Sequence, residues 1–404
     1  MPRTCPPLTP EFHLLAACSW LAPAPLASFQ AGQIQQATAR VINWQAFLEL
    51  VSRHRVAAVV TTNLRHHARD AVPPEWLARL AGKEAWASQR ALGLAGDLAR
   101  LGKILSDGGI EVLPLKGSLL SLRLFGHLGM RDVRDIDILV HPAEVWPADR
   151  LLRAAGYTSI FPDFELSERA KRAALGVAHH FIYQHHATHL LVELHWRLHH
   201  WTQQQIAQLW RQCGHWEWMS VLWKDLAPEH LLPLLCDHGA RHQWSSIKWL
   251  GDVATLIAQT PEGLWDRVLS AARQFDVERP LAQAALLSSW IFSLPLPTPL
   301  IDLVAREKAT PRLAAAALKY LLSANPYLIH SKNPFIRLPQ LLLEFFLYNN
   351  RLRKRTSTVS EISQLAVCLE DFRGAPIPDR LFFLYYLRRP VFWVYRRLTQ
   401  PSAY

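Results

Sequence analysis

The stretch RDVRDIDILV, residues 131–140, turns from charged to apolar within five positions. Read as a strand, it sets Asp135 and Asp137 on one side, about 7 Å apart along the chain, and Ile136, Ile138 and Val140 on the other. Two carboxylates that close repel each other unless a positive charge lies between them. Hard divalent cations supply that charge: Mg²⁺ is held by one or two carboxylates plus phosphate oxygens. Asp132 lies out of phase with the pair and stays outside it. D-x-D alone describes two solvated aspartates at a strand end equally well, so its flanks carry the decision.

Upstream, IEVLPLKG (110–117) is a short branched apolar run, a predicted strand, and SLLSLRLF (118–125) predicts a helix with Ser118 as its cap. A strand followed by Gly117 and Ser118 at a helix start offers backbone N–H groups and a positive helix end to a phosphate. Downstream, HPAEVWPADRLLRAAGY (141–157) reads as a helix with a kink at Pro147. HHFIYQ (179–184) and HLLVELHW (189–196) read as strands joined by a hairpin over HHAT. Glu193 is the one acid in an apolar strand. A buried carboxylate needs a partner, and a metal shared with Asp135 and Asp137 would be one.

Outside this α+β segment the pattern is helical. INWQAFLELVSRHRVAAVV (42–60) places Trp44, Phe47, Leu48, Val51 and Val56 near one face. Residues 73–105 form a long helical pattern that their glycines are expected to break. Beyond residue 201 the chain again reads as helical, including LPQLLLEFFLYNNRLRKR (338–355). The division is thus 1–105, an N-terminal helical lobe; 106–200, an α+β core; 201–330, a helical lobe closing the cleft; and 331–404, a basic, aromatic-rich helical region.

Half of the 404 residues are hydrophobic and 19% are charged, which permits a sizeable core and excludes wholesale disorder. The net charge of +11 favours anionic partners: nucleotides, nucleic acid or an acidic membrane face. Five scattered cysteines without a C-x-x-C pair form neither a disulfide framework nor a zinc knuckle, and fit a reducing cytoplasm. FHLLAACSWLAPAPLA (12–27) has the apolar look of a secretory leader, but Glu11 and the weak basic flank favour a folded helix. No run of about 18 uncharged apolar residues is present, so a spanning helix is not expected.

Taken in order, LPLKG, RDVRDIDILV, LLRAAGY and VELHWRL resemble the uncharacterised nucleotidyltransferase family of the polymerase-β-like superfamily. The flanks NWQAFLELVSRHRVAAVV and HGARHQWSSIKWLGDVATLI are similar to that family's helical surroundings, and the resemblance covers roughly residues 40–260. It implies an α+β fold with a small mixed β-sheet nucleotidyltransferase core between large N- and C-terminal helical lobes. It implies two Mg²⁺ ions on Asp135, Asp137 and Glu193, with Glu193 able to take the acceptor's proton. An NTP, ATP among the candidates, would lie with its triphosphate against Gly117 and Ser118, with Lys116, Arg131 and Arg134 as phosphate contacts and His238, His242 and Asp252 facing the nucleotide. The expected reaction moves a nucleoside monophosphate to an acceptor (a small molecule, a tRNA end or a protein) and releases pyrophosphate. One departure stands out: 17 positions separate Ser118 from Asp135, more than the superfamily commonly has.

Two other classes fit parts of the sequence. A metal-dependent glycosyltransferase also uses D-x-D, but would want an α/β nucleotide-binding half at the N-terminus. A non-catalytic nucleotide- or membrane-surface-binding protein on the same fold would be favoured by loss of one carboxylate. The pairs His195/His199 and His238/His242 have zinc spacing on a helix, yet lack an acidic third ligand there, and read as helix-face histidines. The tryptophans read as core. The last 74 residues hold 12 Lys/Arg against 5 acids, +7 of the +11, suiting a peripheral contact with an anionic membrane or nucleic acid.

Overall fold

The computed structural model describes residues 7–198, 201–323, 347, 367–373 and 377–399. From the N-terminus run α1 (Pro10–Cys18), α2 (Ala24–Thr38), α3 (Trp44–His54), α4 (Ala57–His67) and α5 (Pro74–Asp107). The central part holds β1 (Leu113–Pro114), α6 (Gly117–Phe125), β2 (Asp135–Leu139), α7 (Val145–Ala154), β3 (Tyr157–Phe161), α8 (Glu168–Val177), β4 (His180–His185) and β5 (Leu191–His195). There follow α9 (Gln203–Gln212), β6 (Gly214–Trp218), β7 (Val221–Asp225), α10 (Pro228–Arg241), α11 (Ile247–Gln259), α12 (Trp265–Gln274), α13 (Glu278–Phe292), α14 (Thr298–Arg306), α15 (Thr310–Leu322) and α16 (Leu384–Thr399). A small mixed sheet among many helices is the α+β class expected from sequence.

The chain divides into two compact units, each assembled from separated stretches. One takes Met1–Gly93, Ser118–Val133 and Ala227–Asn349 and is helical among its described residues. In it α1 begins at a Thr9 cap, whose hydroxyl accepts from the Phe12 N–H, and buries Phe12, Leu14, Leu15 and Cys18 against α3 and α4. The first part of the apolar stretch, Phe12–Cys18, thus lies in a packed helix. Asn43 caps α3, and Phe47, Leu48 and Val51 are buried as the spacing predicts. α13 buries Leu281, Ala282, Ala284, Ala285, Leu287 and Phe292, and packs against α10, α11, α12, α14 and α15.

The second unit takes Leu94–Gly117, Arg134–Leu226 and Asn350–Tyr404. Its sheet has the order β1-β2-β5-β4-β3; β2 and β5 are parallel and the other pairs antiparallel. The crossover between β2 and β5 contains α7, β3, α8 and β4. On one face Ile136, Ile138, Val192, Leu194, Phe181 and Tyr183 are buried, and Trp146 of α7 and Trp196 stack on Phe181. The opposite face carries the polar residues of β2, β5 and β4.

Several expectations need correction. The strand predicted over 110–117 is short: Leu113 and Pro114 pair with β2, the Leu115 N–H still donates to the Asp137 carbonyl (3.1 Å), and Gly117 (φ 76°) then turns the chain into α6. α5 runs unbroken through its glycines; Gly102 is needed there for space, since a Cβ would lie 2.1 Å from the Trp223 ring. Residues 214–225 are not helical: β6 and β7 form a hairpin. Its turn residues Met219 and Ser220 both have positive φ without the usual glycine or asparagine, which hid the turn. β3 also went unpredicted. The helix expected over 338–355 lies outside the described residues except for Leu347.

Candidate active site

The parallel register sets Asp137 of β2 opposite Glu193 of β5, and Asp135 opposite Leu191. Side chains alternate along each strand, so Asp135, Asp137, Glu193 and His195 share the polar face. β4 adds His180, directly across from His195, with ring centroids 5.0 Å apart. At the end of β1, Lys116 reaches across so that Nζ lies 3.0 Å from Asp137 Oδ1. His195 Nε2 lies 3.2 Å from Glu193 Oε2 and 3.4 Å from the same Asp137 oxygen.

These last contacts have ion-pair distance without hydrogen-bond direction. Asp137 Oδ1 and both ring nitrogens of His195 are buried and make no hydrogen bond of normal geometry. One ligand atom from each of Asp137, Glu193 and His195 falls within 4.8 Å of the others. Two carboxylates and an imidazole around such a point form a donor set that fits a divalent cation.

The electrostatics are coupled. Burial opposes ionisation of Asp137, but the Lys116 ammonium and the His195 ring outweigh it and hold the carboxyl well below its usual range. Glu193 is also lowered: burial and the nearby Asp137 charge oppose ionisation, and His195, with His180 behind it, favours it more. His195 is raised, since its two carboxylate neighbours exceed the desolvation that disfavours its charged form.

The remaining candidates are placed as follows. Asp135 stands two residues before Asp137 on the same face and lies outside the tight group among the described residues. Gly117 supplies the turn into α6, while the buried Ser118 hydroxyl donates to the Ala91 carbonyl (3.2 Å) and does not cap that helix. Arg131 is buried, with Nε 2.9 Å from Asp252 Oδ2, whereas Arg134 is exposed. Asp132 binds Arg55 and Arg90 through its side chain, and its carbonyl accepts from Lys248, so its place outside the carboxylate pair is structural. His238 and His242 pack against Trp249 at the end of α10.

His195 is the residue the sequence reading passed over. Taken as half of a helical pair, it is in fact the last residue of β5. The signal was the phase: Glu193 and His195 are two apart in a predicted strand, hence on one face.

The uncharacterised nucleotidyltransferase family matches residues 40–293, more than half of the chain and all of the strands that carry this cluster. The chain belongs to that family. Family membership assigns it, in general terms, to nucleotidyl transfer with a nucleotide substrate. No curated protein and no solved structure matches it.

Proposed function

We propose that this nucleotidyltransferase moves a nucleoside monophosphate from an NTP to an acceptor hydroxyl or phosphate and releases pyrophosphate, in an EC 2.7.7-type reaction. One observation carries the reading: the register of β2 against β5 converges Asp137 and Glu193 on one point with a buried imidazole. Asp137, Glu193 and His195 would hold one divalent cation, and Asp135, on the same face, would share a second. Bound cations supply charge neutralisation at the phosphate oxygens and the leaving pyrophosphate. The chain's own groups do the rest. Glu193, less buried than Asp137, would take the acceptor's proton. Lys116 and Arg134 serve the triphosphate, Lys116 exchanging its hold on Asp137 for a phosphate oxygen.

The acceptor is a small molecule, a tRNA end or a protein side chain. Incubation with each NTP, Mg²⁺ or Mn²⁺ and these acceptor classes, read as pyrophosphate release, tests the proposal. Asp135→Ala with Asp137→Ala should lower release by at least a thousandfold; a double variant that retains the wild-type rate refutes it.

A second reading has its own support. Lys116 and a protonated His195 together balance the charges of Asp137 and Glu193, as they would in a non-catalytic nucleotide binder. NTP binding with no pyrophosphate release under any of these conditions would favour it. The glycosyltransferase reading loses ground, because residues 10–107 form helices and connecting turns in place of an α/β half.

A further inference from the structure

The C-terminal helix α16 has two apolar sides, and one is bare. On the inner side Phe382 and Tyr385 are buried against Phe372, with ring centroids at 5.7 and 5.0 Å. The same segment is tied down by polar contacts. Arg389 pairs with buried Asp371 at 3.0 Å, and Asp379 accepts from the Ser167 hydroxyl and the Arg169 N–H at the start of α8. On the outer side Phe383, Tyr386, Leu387 and Val391 are 53, 50, 68 and 68% exposed. Their spacing of three, four and eight residues from Phe383 makes one continuous helical stripe. α16 itself carries Arg388, Arg389, Arg396 and Arg397 and no acidic residue. No helix among the described residues is long and apolar enough to cross a membrane.

We propose that α16 is an in-plane docking helix for an anionic lipid surface. The Phe383–Val391 stripe enters the boundary between headgroups and acyl chains, and the net positive charge of the acid-free helix draws it to lipid phosphates. Charge and shape choose this occupant. A second copy would bring one cationic, acid-free helix against another. An RNA backbone would satisfy the arginines but leave Leu387 and Val391 bare. Lipid satisfies both, and the +7 of residues 331–404 adds to the attraction.

The test uses the full chain, co-sedimented with phosphatidylcholine vesicles with and without phosphatidylglycerol. Binding is expected only to the anionic vesicles and should weaken with salt. Leu387→Ser with Val391→Ser should lower partitioning about tenfold or more, and Arg396→Gln with Arg397→Gln about fivefold per charge lost. The Leu387/Val391 pair should leave the circular-dichroism melting curve unchanged, since both side chains are largely exposed. The proposal is overturned by equal binding to neutral vesicles, by no binding, or by binding that the Leu387/Val391 pair leaves intact. It is overturned equally if sedimentation shows a dimer that this pair dissolves, or if RNA binds and the pair abolishes that binding while vesicles do not bind.

Discussion

His195 gives the site its chemical character. An all-oxygen pair of carboxylates suits Mg²⁺, whereas an added imidazole shifts preference toward Mn²⁺ or Zn²⁺. His195→Gln should therefore weaken Mn²⁺ binding about tenfold or more and Mg²⁺ binding much less, as measured by isothermal titration of the two ions. The sign of the pH effect follows from the raised pKa of His195. The ring must lose its proton to ligate, so Mn²⁺ affinity should rise with pH until the raised pKa is passed and level off above it, and each ion bound below that point should release a proton. Titration in buffers of different ionisation enthalpy reads that proton. An affinity that is flat with pH, or unchanged in the glutamine variant, would remove His195 from the ligand set.

Two element junctions make separate stability predictions. Gly102 of α5 accepts the Trp223 ring of β7 where a methyl would stand, so Gly102→Ala should cost about 1–3 kcal/mol by overpacking, read from urea midpoints. At the end of α3, buried His54 accepts a hydrogen bond from the Ile247 N–H that opens α11. Burial, with a smaller contribution from Arg53, lowers its pKa from 6.5 to about 3. Because the folded state resists a proton that the unfolded chain takes up below pH 6.5, stability should fall as pH drops from 6.5 toward 3. The slope should approach about 1.4 kcal/mol per pH unit. It is absent above pH 6.5, and His54→Asn should flatten it. These junctions also show what was legible locally. Helices α1 and α5 start at prolines, Thr9 and Asn43 cap α1 and α3, and α3 has a clear apolar period. The β6–β7 hairpin lacks a glycine or asparagine at its positive-φ positions, and its tryptophans read as helical core because a window of ten residues does not reveal what Trp223 packs against.

At the scale of the molecule, the two compact units each have their own buried apolar interior. Unfolding should then proceed in more than one step. In calorimetry Gly102→Ala should shift one transition and acidification the other, because Gly102 and His54 belong to different units. A single transition moved by both would mean one cooperative block.

The amino-acid sequence by itself determined the helical flanks, the α+β centre and the family, because these rest on local periodicity and on short motifs kept in order. It also placed Asp135 and Asp137 on one face, since strand alternation needs no partner. Only the tertiary structure decided that Glu193 stands beside Asp137, that His195 and Lys116 complete the cluster, and that Ser118 and Arg131 turn to Ala91 and Asp252. The physical reason is register: a parallel pairing joins residues more than fifty positions apart, and no local pattern encodes which residue of β5 lies opposite which residue of β2.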